Sequence, residues 1–131
     1  IPLNQVARLR QRCAKINEFY KKDRKNYKYC RAIFLHVDSR SKSHQTDVFF
    51  YHSKSKPDSK CLAKTMKKTF ESKYDKHQPN RGFTGTVSAR NLYVLANTSP
   101  ASVFVELGNI QNTFDQRRFV ISSNRQPWPS G

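Results

Sequence analysis

The stretch Ser102-Val-Phe-Val-Glu-Leu-Gly-Asn109 constrains this chain more than any other. It runs apolar and β-branched, as a strand buried on both faces does, and then places a carboxylate two residues before a glycine. A glutamate is almost never fully buried without a partner, so Glu106 late in such a strand points to chemistry there. In open α/β sheets, sites form in the crevice beyond the carboxyl ends of the strands. A second stretch, Ala32-Ile-Phe-Leu-His-Val-Asp38, repeats the arrangement with His36 in the equivalent late position. The two strand ends are expected to face one crevice.

The rest of the pattern supplies helices around such strands. Val6, Leu9, Cys13, Ile16 and Tyr20 recur at three- and four-residue steps, which puts them on one stripe of a helix that Asn4 can cap. Strands are expected over 32–37, 47–52 and 91–95 in addition to the one ending near Glu106. Between them, Leu62, Met66, Phe70 and Tyr74 at spacing four mark a helix core face, with Asp58 or Ser59 as its cap. Residues 39–45, 53–60, 76–85 and 96–101 read as turns and loops rich in Ser, Pro, Asn and Gly. Thr113 and Gln116 fit a capping box opening a last helix, and Pro127-Trp128-Pro129 ends regular structure. With 131 residues there is room for one domain, and helices alternating with buried strands make it α/β with a largely parallel sheet.

Charge narrows the partners. Lys and Arg total 25 against 9 acidic residues, a net charge of +16, which calls for an anionic partner: nucleic acid, a phosphate-rich polymer or an anionic envelope. Segment 20–31 concentrates this charge, with Lys21, Lys22, Arg24, Lys25, Lys28 and Arg31 among Tyr20, Tyr27 and Tyr29. It reads as an exposed basic connection. Such a segment either grips single-stranded nucleic acid by phosphate contacts and stacking, or is a solvated loop whose tyrosines pack on the domain. No apolar run is long enough for a transmembrane segment. Cys13, Cys30 and Cys61 are an odd number without CxxC spacing, which favours buried free thiols over a disulfide framework or a zinc knuckle.

Of the four histidines, His44 and His77 fall at polar turns and are expected on the surface, while His52 ends a strand. His36 lies in an apolar run and is either a satisfied core histidine or a metal ligand. A catalytic zinc keeps three protein ligands and an open position whose water is acidified to a pKa of about 7. A carboxylate that is not a ligand can take that water's proton and pass it to a leaving amine. His36 and Glu106 would supply one ligand and that base, leaving two ligands to be found. Neither a GxSxG elbow nor a phosphate-binding loop is present, so serine-nucleophile and P-loop chemistry are disfavoured.

Phe34-Leu-His-Val-Asp-Ser39, Asn91-Leu-Tyr-Val-Leu95 and Ser99-Pro-Ala-Ser-Val-Phe-Val-Glu-Leu-Gly-Asn-Ile-Gln-Asn112, following an arginine-rich helix, resemble the zinc-dependent N-acetylmuramoyl-L-alanine amidases of bacterial cell-wall remodelling. The likeness runs in order over 1–126, leaving 127–131 as a tail. It implies a partial catalytic domain with a twisted, helix-flanked sheet that lacks the family's N-terminal strand and helix. It also implies hydrolysis of the amide between N-acetylmuramic acid and L-alanine in peptidoglycan, in a periplasmic or secreted setting. His36 becomes a zinc ligand and Glu106 the catalytic carboxylate. The other two ligands are expected upstream of Ile1, where a chain that does not open on Met is expected to continue. Arg81 and Asn91 match places where such enzymes meet the glycopeptide, and Asp38 stands where many members have Asn, either as an acceptor that supports a metal ligand from behind or as an extra charge near the metal. The isolated chain is expected to bind zinc poorly and to hydrolyse nothing. The alternative is a non-catalytic module that binds wall polymer or nucleic acid through its basic surface.

Overall fold

The computed structural model describes residues 4–38, 48–77 and 85–109. In chain order they form α1 (Gln5–Asp23), β1 (Arg31–Asp38), β2 (Val48–His52), α2 (Pro57–His77), β3 (Gly85–Ala89), α3 (Tyr93–Ala96) and β4 (Ala101–Asn109). The strands make one sheet in the order β1-β4-β2-β3. Pairings β1–β4 and β2–β3 are parallel and β2–β4 is antiparallel, so the sheet is mixed with parallel pairs in the majority. The fold class read from the sequence is the one observed: α/β, with helices against a mainly parallel sheet.

Alternation along the central strands divides the core into two layers. Val48, Phe50, Val103 and Val105 point to one face, where Ala63 of α2 meets them and Leu62, Met66 and Phe70 pack around them. Phe50 and Phe70 meet edge to face with ring centroids 5.2 Å apart, an arrangement the ring quadrupoles favour. The spacing-four stripe of α2 is thus its core face. On the opposite sheet face, Phe34, Tyr51 and Phe104 pack with Leu9 and Cys13 of α1 and with Val94 and Leu95 of α3. Burial pushes the Cys13 thiol up, against a lesser opposing pull from the Arg12 guanidinium, so it stays protonated at neutral pH.

Directional bonds fix where the helices start and how they attach. The Asn4 side chain accepts from Ala7 N at 3.1 Å, capping α1, and Lys21 and Lys22 lie in its last turn, where positive charge suits the dipole. Asn17 donates to Asn97 O at 3.0 Å and accepts from Ser99 N at 2.7 Å, tying α1 to the turn before β4. Pro57 opens α2, a position that wastes no N–H, and buried Ser59 accepts from Ser102 N at 3.0 Å to hold the helix start against β4.

Four sequence expectations change. Residues 91–95 are not a strand: Val94 and Leu95, adjacent in sequence, are both buried, as a helical turn allows and an alternating strand does not. Asn97 Nδ2 donates to Tyr93 O at 2.9 Å and Thr98 Oγ1 to Val94 O at 2.7 Å, closing that turn. The strand beside β2 is instead Gly85–Ala89, a short edge strand with little apolar patterning. Helix α1 runs on to Asp23, four residues into the segment read as a connection, and α2 begins inside the loop expected over 53–60. Of the three thiols only Cys13 is buried; Cys30 is half-buried and Cys61 exposed. His44, Arg81, the 113–121 helix and the Pro-Trp-Pro tail lie outside the described residues.

Candidate active site

Strand β4 lies between β1 and β2, which buries Ser102, Val103 and Val105 completely and leaves Glu106 5% exposed. In the parallel β1–β4 ladder His36 stands opposite Glu106, two positions after Phe34 stands opposite Phe104. Register partners project to the same side, and the His36 ring lies 5.4 Å from the Phe104 ring, so His36 and Glu106 share the α1 and α3 face of the sheet. Yet they differ in setting. The imidazole is exposed and the carboxylate is buried.

The carboxylate is compensated from its other side. Arg90 Nη1 is 3.6 Å from Glu106 Oε1, an ion pair at slightly more than hydrogen-bonding distance. The Arg90 guanidinium also lies 5.0 Å from the centre of the Tyr51 ring, and its backbone N–H donates to His52 O at 3.0 Å. Strand β2 adds Phe49 opposite Glu106. One buried acid is thereby framed by an aromatic wall and the half-exposed Arg90 cation, a setting in which a carboxylate can exchange a proton without surrounding water competing.

Immediately beyond this pair the ladder is irregular. Between the pairs His36↔Glu106 and Asp38↔Asn109, β1 advances from 36 to 38 while β4 advances from 106 to 109. The extra residue falls at Leu107-Gly108, and bulges of this kind turn a strand end and open pairing beside sites. Asp38 ends β1 opposite Asn109. Asn91 is exposed in the link between β3 and α3, and Arg81 is outside the described residues. The structure thus brings His36 and Glu106 to one face and places Asn91 one residue after Arg90. Sequence reasoning passed over Arg90, since one more arginine in a chain of net charge +16 carries no signal of its own.

Two further histidines fall in described elements. His52 is 5% exposed, and its Nδ1 lies 3.0 Å from Ser53 O; because a carbonyl only accepts, that nitrogen carries the proton. His77 is the last residue of α2.

A family model described as N-acetylmuramoyl-L-alanine amidase matches residues 4–127. The chain belongs to that family. Among solved structures, the N-acetylmuramoyl-L-alanine amidase from Clostridium difficile 630 is similar at 17% identity and a TM-score of 0.68, over 89% of this chain and 56% of that one. The catalytic domain of CwlV, the amidase of Bacillus (Paenibacillus) polymyxa var. colistinus, gives 23% and 0.64 over the same shares, 89% and 56%. The apo form of the amidase Ami1 from Mycobacterium abscessus gives 18% and 0.61, over 92% of this chain and 67% of that one. At these identities the likeness establishes a shared fold, and the chain spans 56% of the length of the first two relatives. No curated protein matches.

An amidase-family chain raises the question of a metal. Among the described residues no three His, Cys, Asp or Glu side chains are grouped to hold one. His36 offers one exposed imidazole in register with a buried acid, which suits one corner of a metal site and does not make a site by itself. Among the described residues no helix is long and apolar enough to cross a membrane.

Proposed function

We propose that the chain is part of a peptidoglycan amidase that cleaves the amide joining N-acetylmuramic acid to L-alanine, with Glu106 as the general base and acid. The reading is carried by one observation: His36 and Glu106 are register partners on neighbouring parallel strands and share a sheet face, one exposed and one buried. Family membership names the bond. A buried carboxylate beside a guanidinium, at a bulged strand end, is placed to take a proton from an attacking water and return it to the departing amine of L-alanine. Arg90 supplies the compensating charge beside that carboxylate.

His36 is proposed as a zinc ligand, with further ligands from residues outside the described ones. Zinc, when bound, supplies Lewis acidity for the scissile carbonyl and an acidified water. Asp38, one residue beyond Val37 on the same strand, is proposed as an acceptor that steadies the site, and Asn91 and Arg81 as contacts to the glycopeptide. Such an enzyme works in the cell envelope, periplasmic or secreted, on purified wall as on its natural substrate.

The test uses the full-length protein with purified peptidoglycan, following release of stem peptides with new N-terminal alanine. Glu106→Gln is expected to stop release while leaving zinc content intact, and His36→Ala to lower zinc content measured by metal analysis. Turnover that persists in Glu106→Gln removes that residue from the mechanism.

A further inference from the structure

At the opposite end of β1 from His36 the molecule carries a second concave surface that the amidase reading does not use. Two cavities of about 510 and 720 Å³ meet there, sharing Tyr20, Tyr27, Tyr29, Cys30 and Arg31 on their walls. Arg31 precedes His36 by five strand residues, roughly 16 Å along β1, so the centre of this groove lies away from the crevice, although its nearer wall reaches Phe34, two residues short of His36.

Its surface is unusual for a segment meant only to connect α1 with β1. Tyr27 and Tyr29 are 63% and 64% exposed, although aromatic rings of that size are ordinarily packed away. Two cations flank Tyr29: Lys28 Nζ at 5.5 Å and the Arg31 guanidinium at 4.8 Å from the ring centre. Positive charge is thus held against an exposed aromatic face, with more supplied by Arg24 on the groove wall. Asp23 and Asp58, one on each cavity, add acceptors within an otherwise basic rim.

We propose that this groove binds an anionic glycan strand of the cell wall and is a substrate-holding site distinct from the catalytic crevice. Each component fits that chemistry. The C–H face of a sugar ring carries slight positive charge and packs on the electron-rich face of an exposed tyrosine. Arg31, Arg24 and Lys28 meet carboxylates borne at intervals along the strand, and a guanidinium can do so with two parallel bonds. Asp23 and Asp58 accept from sugar hydroxyls. Single-stranded nucleic acid fits less well: it carries a phosphate at every nucleotide to set against Asp23 and Asp58, whereas a glycan strand brings hydroxyls between its spaced carboxylates. The choice of wall glycan as the polymer rests on the amidase reading, whereas the groove and its charge do not.

The experiment is co-sedimentation of the full chain with purified peptidoglycan across a salt series. Tyr27→Ala with Tyr29→Ala is expected to weaken association roughly tenfold, two ring contacts' worth. Lys28→Glu with Arg31→Glu is expected to weaken it at least as much and to flatten the salt dependence. Lys68→Glu with Lys76→Glu, an equal charge change on exposed positions of α2, should bind as the wild type does. Equal loss in that control would mean that only the overall field matters, and would overturn the groove. Tighter binding of single-stranded DNA, lost in the same groove variants, would overturn the glycan assignment. Glu106→Gln separates the two readings: it should sediment normally whatever it does to hydrolysis, and lost sedimentation would put the bound wall in the crevice instead. A measurement independent of any variant's folding is nitration of the wild type, in which bound peptidoglycan should shield Tyr27 and Tyr29. Unchanged nitration at both would end the proposal.

Discussion

Strands β1 and β4 are neighbours in one parallel ladder with closely similar patterns, and they live in different solvents. On β4, Val103 and Val105 are fully buried under α2 while Phe104 and Glu106 face the other layer. On β1 the residues in register with those valines, Ile33 and Leu35, are 42% and 69% exposed, because β1 is outermost among the described strands and α2 packs on β4, β3 and β2. The same alternation therefore yields a core strand in one place and an open one in the next. That asymmetry is what gives the candidate site its two characters, a carboxylate shielded from water and an imidazole reachable from solution.

Substitutions can break or sharpen this contrast. The largest effect is expected from Val105→Asp, which buries a charge without a partner and should leave the chain unfolded in a circular-dichroism melt. If it melts like the wild type, β4 is not the core strand described. Next in size is catalysis in the full-length protein, where Glu106→Gln should slow turnover by about 10²–10⁴-fold, the usual contribution of a positioned acid–base group. Arg90→Ala is expected to be milder. Its guanidinium is half exposed and 3.6 Å from the acid, so urea denaturation should record a loss of no more than about 1 kcal/mol. Arg90→Lys should restore most of that loss. Smallest is Leu35→Asp, in register with Val105, for which denaturation of the 131-residue chain should shift within about 0.5 kcal/mol. A cost as large as that of Val105→Asp would show that something covers this face of β1.

How far the sequence could be read follows from the same physics. The stretches containing His36 and Glu106 were legible because long β-branched and aromatic runs have few alternatives to a strand, and a polar residue late in such a run stands out. Helices α1 and α2 were legible from their stripes. Residues 91–95 misled because Leu-Tyr-Val-Leu has strong strand propensity, which side-chain bonds from Asn97 and Thr98 override by closing a helical turn. Strand β3 was hidden for the converse reason: Gly-Thr-Val-Ser-Ala has little to bury and is held by its pairing with β2. The partnership of Arg90 with Glu106 was invisible too, since it joins the residue after β3 to a strand that is not β3's neighbour in the sheet order.

The step at Leu107-Gly108 makes β4 one residue longer than the strand it follows, so past the acid even-numbered positions on β1 meet odd-numbered ones on β4. Length itself is then inherited as a trait here. Removing Gly108 would let the ladder run evenly from Glu106 to Asn109, still opposite Asp38, and would erase the step by which the two strand ends part company beyond the acid.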